Sequence, residues 1–227
     1  MRKYIYSIFL LGLFSCQEEG VVQYTQEKDG LQFSANSSED MTKVFNFATA
    51  TYEEEINGEP KTFYYGDSLA AYTFERVVLD LQGFPTPDER EYKLKTVLVE
   101  DQDSSKVAEV VFEPYYSLAP NQLKDTIKIT VLRPKTRGTY TVGITVDTEG
   151  KGAFFDKGVV EKSILRLDIK DVYEQPEGWD ERQEWLGEFD EEKYAFMVTV
   201  SKQAFSKENN HMWNETDKYN LELREAR

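Results

Sequence analysis

The chain has 227 residues, of which 27 are Lys or Arg and 42 are Asp or Glu, so its net charge at neutral pH is −15. So acidic a surface repels phosphate backbones and argues against a nucleic-acid partner. With one cysteine and one histidine, the chain lacks the His and Cys ligands of a zinc site and the Cys–His or Ser–His pair of an acyl-transfer enzyme.

Residues 1–15 are typical of a secretory signal peptide. A short basic start is followed by the uncharged run 4–14, which is too short to span a bilayer. Leu13, Phe14 and Ser15 lead directly into Cys16, and this resembles a bacterial lipobox, although Phe14 is bulkier than the usual residue. We therefore predict cleavage before Cys16 and acylation of that cysteine. A plain signal peptide with an incidental cysteine is the alternative.

The predicted anchor defines the location. Two or more acyl chains hold a protein stably on a membrane, and no other apolar run approaches the roughly 20 residues of a spanning helix. Glu18 and Glu19 resemble the surface-export signal of Bacteroidota lipoproteins, although a solvated acidic tether would look the same. We expect a lipid-anchored outer-membrane protein that faces the cell exterior. Removal of residues 1–15 leaves 212 residues with a net charge of −17.

After a flexible acidic tether at 16–30, apolar and polar residues alternate, as in strands with one buried face. Turn signals separate the strands and no helical pattern intervenes, which favours an antiparallel immunoglobulin-like β-sandwich without a disulfide for residues 31–171. The strand order stays undetermined. The alternating stretches are 31–35, 43–48, 76–83, 92–99, 106–114, 125–132, 139–147 and 163–169.

The C-terminal extension, 172–227, differs in its residue pattern from the alternating segment before it. We predict that Trp179 and Trp185 fix it to the sandwich. Asp190 is placed to cap a helix that begins at Glu191, although alternation from Tyr194 onward also permits a strand. The predicted helical face consists of Tyr194, Met197, Val198, Ser201 and Phe205.

This arrangement resembles a domain-of-unknown-function family of small Bacteroidota lipoproteins. The similarity covers about 31–205 and depends on a C-terminal motif of a tryptophan, a Gly-aromatic-Asp step and a Lys-Tyr-x-Phe segment. In this chain the motif positions are Trp179, Gly187, Phe189, Asp190, Lys193, Tyr194 and Phe196.

Members of that family are typically encoded beside SusC/SusD-type nutrient importers, in which a TonB-dependent barrel works with a lipidated lid. The resemblance implies a non-catalytic accessory subunit for uptake of oligomeric peptide or glycan. The implied partners are a SusC-like barrel, a SusD-like lipoprotein and other surface lipoproteins of the same locus, with no cofactor. The alternatives are a stand-alone glycan- or peptide-binding lipoprotein and, more remotely, a carbohydrate-active enzyme.

Aromatic clusters are the candidate ligand-binding residues, since sugars and peptides pack on Tyr and Phe rings. One cluster is Phe63, Tyr64 and Tyr65, in a segment with little alternation, and the other is Tyr115 and Tyr116, after a strand. Alternatively, these rings cover the ends of the sandwich.

The remaining signals are weaker. Ser68 and Thr126 stand in Asp-Ser/Thr-aliphatic triplets that look like O-glycosylation acceptors of exported Bacteroidota proteins. The stretch 101–112 begins like a calcium loop but lacks its glycine and closing glutamate, so we interpret it as a hairpin turn that leads into a strand. A looser surface calcium site is the alternative. His211 lies in a polar tail, and the many carboxylates are explained by a solvated surface. We predict no catalytic and no metal-binding residue.

Overall fold

The computed structural model describes residues 28–35, 41–100, 102–150 and 153–202. The predicted lipidation site Cys16, the export signal at Glu18 and Glu19, and the tail with His211 lie outside the described residues. No helix in the described part of the chain has the length and apolar character needed to cross a membrane.

The protein is mainly β, with thirteen strands among the described residues and two α-helices near their end. The strands are β1 (Gly30–Phe33), β2 (Thr42–Asn46), β3 (Thr51–Ile56), β4 (Glu59–Tyr64), β5 (Ala71–Gln82), β6 (Arg90–Tyr92), β7 (Leu94–Val97), β8 (Val110–Val111), β9 (Tyr116–Leu118), β10 (Lys124–Leu132), β11 (Gly138–Val146), β12 (Asp156–Lys157) and β13 (Leu165–Asp171). The helices are α1 (Gln183–Leu186) and α2 (Glu191–Ser201).

Two sheets share the main apolar core. One has the strand order β12-β1-β5-β10-β8 and the other the order β2-β13-β11-β7, while β3-β4 and β6-β9 form separate two-stranded sheets. The alternation predicted from the sequence is confirmed along β10, β11 and β13. The inward positions of these strands are all buried, namely Ile127, Ile129, Val131, Val142, Ile144, Val146, Leu165, Leu167 and Ile169.

The expectation of purely antiparallel pairing is wrong for two strand pairs. β2 runs parallel to β13, and β1 runs parallel to β12. Alternation reports which face of a strand is buried, and it carries no information on strand direction. Strands this far apart in sequence are free of the hairpin connection that forces neighbouring strands to be antiparallel.

The second half of β11 is buried on both faces, which requires close packing at Gly143. A methyl group added there would lie 2.7 Å from a Val99 methyl and 2.9 Å from methyls of Val97 and Ile164. Real side chains do not approach this closely, so glycine lets these three residues cover the outer face of the strand.

The sequence interpretation missed the hairpin formed by β3 and β4. Asn57 and Gly58 connect the strands with φ angles of 57° and 83°, the left-handed conformation of a two-residue hairpin turn. The segment around Phe63 to Tyr65, which shows little alternation in the sequence, therefore lies at the end of strand β4. An Asn-Gly pair between two β-prone runs is the signal that would have identified the hairpin.

The predicted helix at Glu191 is confirmed. The Asp190 carboxylate accepts a hydrogen bond from the Lys193 backbone N–H at 2.8 Å, and Glu191 and Glu192 occupy the first turn of α2. A capping carboxylate satisfies an otherwise unpaired donor, and acidic residues suit the positive end of the helix. The predicted buried face holds for Tyr194, Met197 and Val198, whereas Phe205 lies beyond the described residues.

A second apolar cluster attaches this helix to one end of the sheets. Tyr194 packs against Trp179, Phe189 and Tyr173 through ring contacts of 5.8, 6.0 and 5.8 Å. The Trp179 indole N–H donates to the Gly187 carbonyl at 3.1 Å. Trp179 is 1% exposed, but Trp185 is 65% exposed, so the predicted attachment role of Trp185 is wrong. Trp185 belongs to a single-turn helix that buries only Leu186.

We expect Trp179→Ala to destabilise the protein by about 3–5 kcal/mol, because it removes a large ring from a closed cluster. The matched control Trp185→Ala should change stability by less than about 0.5 kcal/mol, because that ring faces solvent. Urea unfolding gives both values. Hydrogen exchange of the Trp179 variant should show the C-terminal extension opening before the sheets, and uniform loss of protection would contradict a separate second cluster.

Two threonines on β11 provide a test of core polarity. Thr145 is fully buried and its hydroxyl has no hydrogen-bond partner among the described residues, whereas the Thr141 hydroxyl donates to Asp168 at 2.8 Å. Thr145→Val should stabilise the protein by about 1 kcal/mol and raise Tm by about 2–4 °C, because an unpaired buried hydroxyl costs free energy. Thr141→Val should destabilise it by about 1 kcal/mol. Equal effects in thermal unfolding would contradict this interpretation.

Candidate functional site

A groove lies at the end of the sheets where β10 begins and β11 ends. Its volume is about 260 Å³, and it combines aromatic rings with charged groups. Its lining comes from β6, from the residue before β9, from the end of β11 and from the segment before β12, which are far apart in sequence. The residues that matter for its chemistry are Glu91, Tyr92, Lys93, Tyr115, Asp147, Phe154 and Phe155.

The floor of the groove is rigid. Tyr92 stacks on Tyr116 across the β6–β9 pair with ring centroids 5.6 Å apart, and Phe155 meets Tyr92 edge-on at 6.1 Å. The Tyr92 hydroxyl donates to Asp125 at 2.6 Å. The Arg90 guanidinium lies 4.7 Å over the Phe155 ring. These contacts hold the floor in one arrangement, as a preformed site requires.

The rim carries exposed aromatic rings beside charged side chains. Tyr115 is 56% exposed and Phe154 is 54% exposed, while Glu91 and Lys93 are exposed beside the buried Tyr92. Large aromatic side chains are normally mostly buried, so two exposed rings at one groove are notable. The arrangement offers apolar faces for stacking and charged groups for hydrogen bonds.

The carboxylate of Asp147 is stabilised in its ionised form by two neighbouring groups. It accepts a hydrogen bond from the Glu149 backbone N–H at 3.2 Å and lies 3.2 Å from the Lys95 ammonium, and both lower its pKa below the usual range. A carboxyl group that stays ionised does not serve as the general acid of glycoside hydrolysis. Asp147 is therefore poorly suited to act as such an acid.

No group of three or more potential metal ligands is present within the described residues. In the calcium-like stretch, Asp103 accepts hydrogen bonds from the Ser105 N–H at 2.9 Å and the Ser105 hydroxyl at 2.7 Å, which lower the pKa of Asp103. This carboxylate is thus occupied in a turn, as predicted, but the expected hairpin is wrong, because β7 before the turn pairs with β11 and β8 after it pairs with β10. Asp101 lies outside the described residues.

A second aromatic surface lies on the β3–β4 hairpin at the opposite end of the sheets. Tyr52 contacts Phe63 at 5.8 Å and Tyr65 at 4.8 Å, and Tyr52 and Tyr65 are both exposed. Tyr64 points the other way and is buried, with its hydroxyl 3.2 Å from that of Tyr194. Successive side chains of a strand point to opposite faces, which explains why Tyr64 is buried while its neighbours Phe63 and Tyr65 retain accessible surface.

The structure thus divides the predicted binding residues. Phe63, Tyr65 and Tyr115 retain accessible surface, but Tyr64 and Tyr116 are buried. It adds Tyr52 to one surface and Phe154 to the other. Phe154 follows a glycine-rich segment without alternation, so no periodic signal identified it.

The two predicted glycosylation residues are both exposed. The Ser68 hydroxyl donates to the Tyr65 carbonyl at 2.6 Å. Thr126 lies on the outer side of β10, as the alternation predicted.

Stability should fall above about pH 10 because of Tyr92 and Tyr194. Burial raises the pKa of both phenols, and Asp125 and Tyr64 respectively add to the effect. Unfolded tyrosine ionises near pH 10, so below that value both states keep the proton, and above it only the unfolded state loses it. Urea titrations between about pH 9 and 11.5 should show a declining free energy of unfolding, with a shallower decline for Tyr92→Phe. A decline as steep for Tyr92→Phe as for the unaltered protein would contradict the shift.

Three solved structures show distant similarity to this chain. The apo form of the Calx CBD1 domain has 12% identity and a TM-score of 0.37 over 64% of this chain and 98% of that one. EndoBT-3987 of Bacteroides thetaiotaomicron, solved with a Man5GlcNAc product, has 10% identity and a TM-score of 0.37 over 62% of this chain and 30% of that one. A GH5 xyloglucanase of Bacteroides ovatus has 13% identity and a TM-score of 0.28 over 66% and 22%. Similarity this low carries no argument about fold or function.

No curated protein sequence matches the chain. Residues 67–203, however, match the family described as "Domain of unknown function (DUF4843)". The match runs from the turn after β4 through the Trp179 cluster and α2, so it includes most of the two larger sheets and the groove. It covers more than half of the chain, and the protein is therefore a member of the DUF4843 family.

Proposed function

We propose that this protein is a non-catalytic outer-membrane lipoprotein, exposed on the cell surface, that binds oligomeric nutrient as an accessory subunit of a SusC/SusD-like uptake system. The observation that carries the binding role is the groove, which pairs the exposed rings of Tyr115 and Phe154 with a rigid aromatic floor. The importer partnership comes from the family resemblance in the sequence.

The groove suits one unit of an oligomer. Its volume of about 260 Å³ is just below the range of drug-sized pockets, and it is open at the surface. A sugar ring or a peptide side chain would stack on Tyr115 and Phe154, while Glu91 and Lys93 would bond hydroxyl or amide groups. Both glycan and peptide satisfy this chemistry, so the two cargo classes are separated by experiment.

The position of the groove fits a membrane-anchored binder. The Lys28 ammonium donates to the Ala153 carbonyl at 3.0 Å, and Ala153 lines the groove. If Cys16 carries the acyl chains, the twelve residues 16–27 reach at most about 40 Å. The tether would then join the described residues beside the groove, at the end of β10 away from the β3–β4 hairpin.

We also propose that the two larger sheets form an immunoglobulin-like sandwich. The support is their shared core, to which each sheet contributes alternate residues.

The alternative function is a stand-alone surface lipoprotein that binds glycan or peptide. The observation behind it is the same groove, whose exposed rings and charged side chains suit a glycan or peptide ligand. The two functions differ in whether partners copurify with the protein.

The test combines copurification with ligand binding. A C-terminally tagged copy is extracted from native outer membranes in mild detergent, and the associated proteins are identified and quantified by mass spectrometry. We expect a TonB-dependent barrel and its lid lipoprotein in fixed ratio. Recovery of the protein alone would overturn the accessory role and leave the stand-alone function.

The binding arm uses Tyr115→Ala/Phe154→Ala, with Phe84→Ala as the control, since Phe84 is 72% exposed but does not line the groove. On glycan and peptide arrays the double variant should lose signal at least tenfold, because stacking on rings carries the affinity. The control should bind like the unaltered protein, and both should copurify with the same proteins. Unchanged binding by the double variant would remove the groove from the proposal.

A further inference from the structure

The β3–β4 hairpin has two long edges, and its register determines which backbone groups face outward. Hydrogen-bonded and non-hydrogen-bonded pairs alternate along antiparallel strands, and the pair that closes a two-residue turn, Ile56 with Glu59, is hydrogen-bonded. Glu54 and Lys61 repeat this pairing two residues away. The residues in between direct N–H and C=O away from the hairpin, and these are Thr51, Glu53 and Glu55 on β3 and Pro60, Thr62 and Tyr64 on β4.

Two hydrogen bonds at the base of the hairpin agree with this alternation. The Tyr64 N–H donates outward to the Lys202 carbonyl at 2.7 Å. The Tyr65 N–H donates in the opposite direction, to the Ala50 carbonyl at 3.0 Å.

The edge of β4 is closed to further pairing. Proline has no N–H, so Pro60 cannot donate to a neighbouring strand. The outward N–H of Tyr64 is already bonded to Lys202. Only Thr62 retains an outward donor, and one donor does not sustain a strand pair.

The edge of β3 is open. Within the described part of the chain, no residue bonds the outward backbone groups of Thr51, Glu53 or Glu55, and the five residues from Thr51 to Glu55 are all exposed. An exposed edge of this length is a ready template for an added strand.

The side chains around this edge determine which kind of partner strand can pair with it. Glu53 and Glu55 lie on one face of β3, and Tyr52 lies on the other face beside Phe63 and Tyr65. A second copy of this chain would bring glutamates opposite glutamates, which is destabilising. An incoming strand with a basic side chain opposite each glutamate gains two cross-strand pairs instead.

We propose that the open edge of β3 receives an extended segment of a partner protein that carries Lys or Arg at two alternate positions, with an aromatic or β-branched residue packed over Tyr52. The hairpin as a whole carries Glu53, Glu54, Glu55 and Glu59 against Lys61, a net charge of −3, which complements such a segment. This strand pairing would be the contact between the proposed accessory subunit and its protein partner. The inference rests on that proposed function only for the identity of the partner.

The test uses a synthetic peptide with the core Lys-Thr-Lys-Tyr-Thr, acetylated and amidated, and the isolated protein. Binding is followed by isothermal titration, and edge pairing by the hydrogen exchange of the Thr51, Glu53 and Glu55 amides. We expect saturable binding that weakens with salt and protects these three amides. A peptide with the same side chains but with N-methyl groups on the two lysine amides that would face β3 should bind at least tenfold more weakly, because those amides can no longer donate to the strand.

Protein variants separate pairing from simple charge attraction. Glu53→Lys/Glu55→Lys should weaken binding at least tenfold, because it reverses both facing charges. The control Glu54→Lys/Glu59→Lys changes the net charge equally but on the other face, and should weaken binding less than threefold. Glu53→Pro removes one outward N–H without removing a hairpin hydrogen bond and should also abolish amide protection.

Three results would overturn the inference. They are equal binding of the methylated peptide, equal effects of the two charge-reversal pairs, or no binding at low salt. The last would mean that the glutamates only protect the edge from pairing. Because these measurements use no barrel or lid, a failed copurification with a positive peptide result would sink the accessory role alone. The reverse combination would sink the edge inference alone.

Discussion

The Arg133 side chain is the contact on which the arrangement of the outer elements depends. Its guanidinium donates two hydrogen bonds to Asp171, at 2.9 and 2.8 Å, and others to the Gly66 carbonyl and Asp67, at 2.8 and 2.9 Å. The buried Asp171 carboxylate raises the pKa of Arg133 and is itself compensated by the pair. Removing either partner of such a pair leaves a buried charge without compensation, which typically costs about 3–5 kcal/mol.

This corner connects the two elements that lie outside the main sheets. Gly66 and Asp67 directly follow the β3–β4 hairpin, and Asp171 directly precedes the segment that carries Tyr173 into the second apolar cluster. Arg137 adds a contact with Tyr173, its guanidinium 4.7 Å from the ring centre. The orientation of the hairpin, and thus the direction in which the β3 edge faces, follows from charges at the ends of β10 and β13.

The C-terminal motif behind the family resemblance is a packing motif. Trp179, Phe189 and Tyr194 form its apolar centre, Asp190 caps α2, and the Lys193 ammonium donates to the carbonyls of Leu186 and Glu188 at 2.7 and 2.9 Å. The glycine of the motif, Gly187, has a φ of 72°, a conformation that side-chain-bearing residues rarely adopt. These residues attach the helix to the sheets and carry no reactive chemistry. The motif therefore identifies the fold, and the groove and hairpin carry the proposed binding surfaces.

By itself the sequence determined the strands of the core, because alternation records which face of a strand is buried. It also determined the start of α2, because a cap and the first helical turn are local features. Only the tertiary structure decided which of two adjacent aromatic residues stays exposed. Tyr64 and Tyr65, and likewise Tyr115 and Tyr116, differ because another element covers one ring and leaves its neighbour in solvent. The groove was equally beyond prediction, since β6, the end of β11 and the segment before β12 meet only after the sheets have formed. Burial of a particular ring depends on what packs over it, and that partner is distant in sequence.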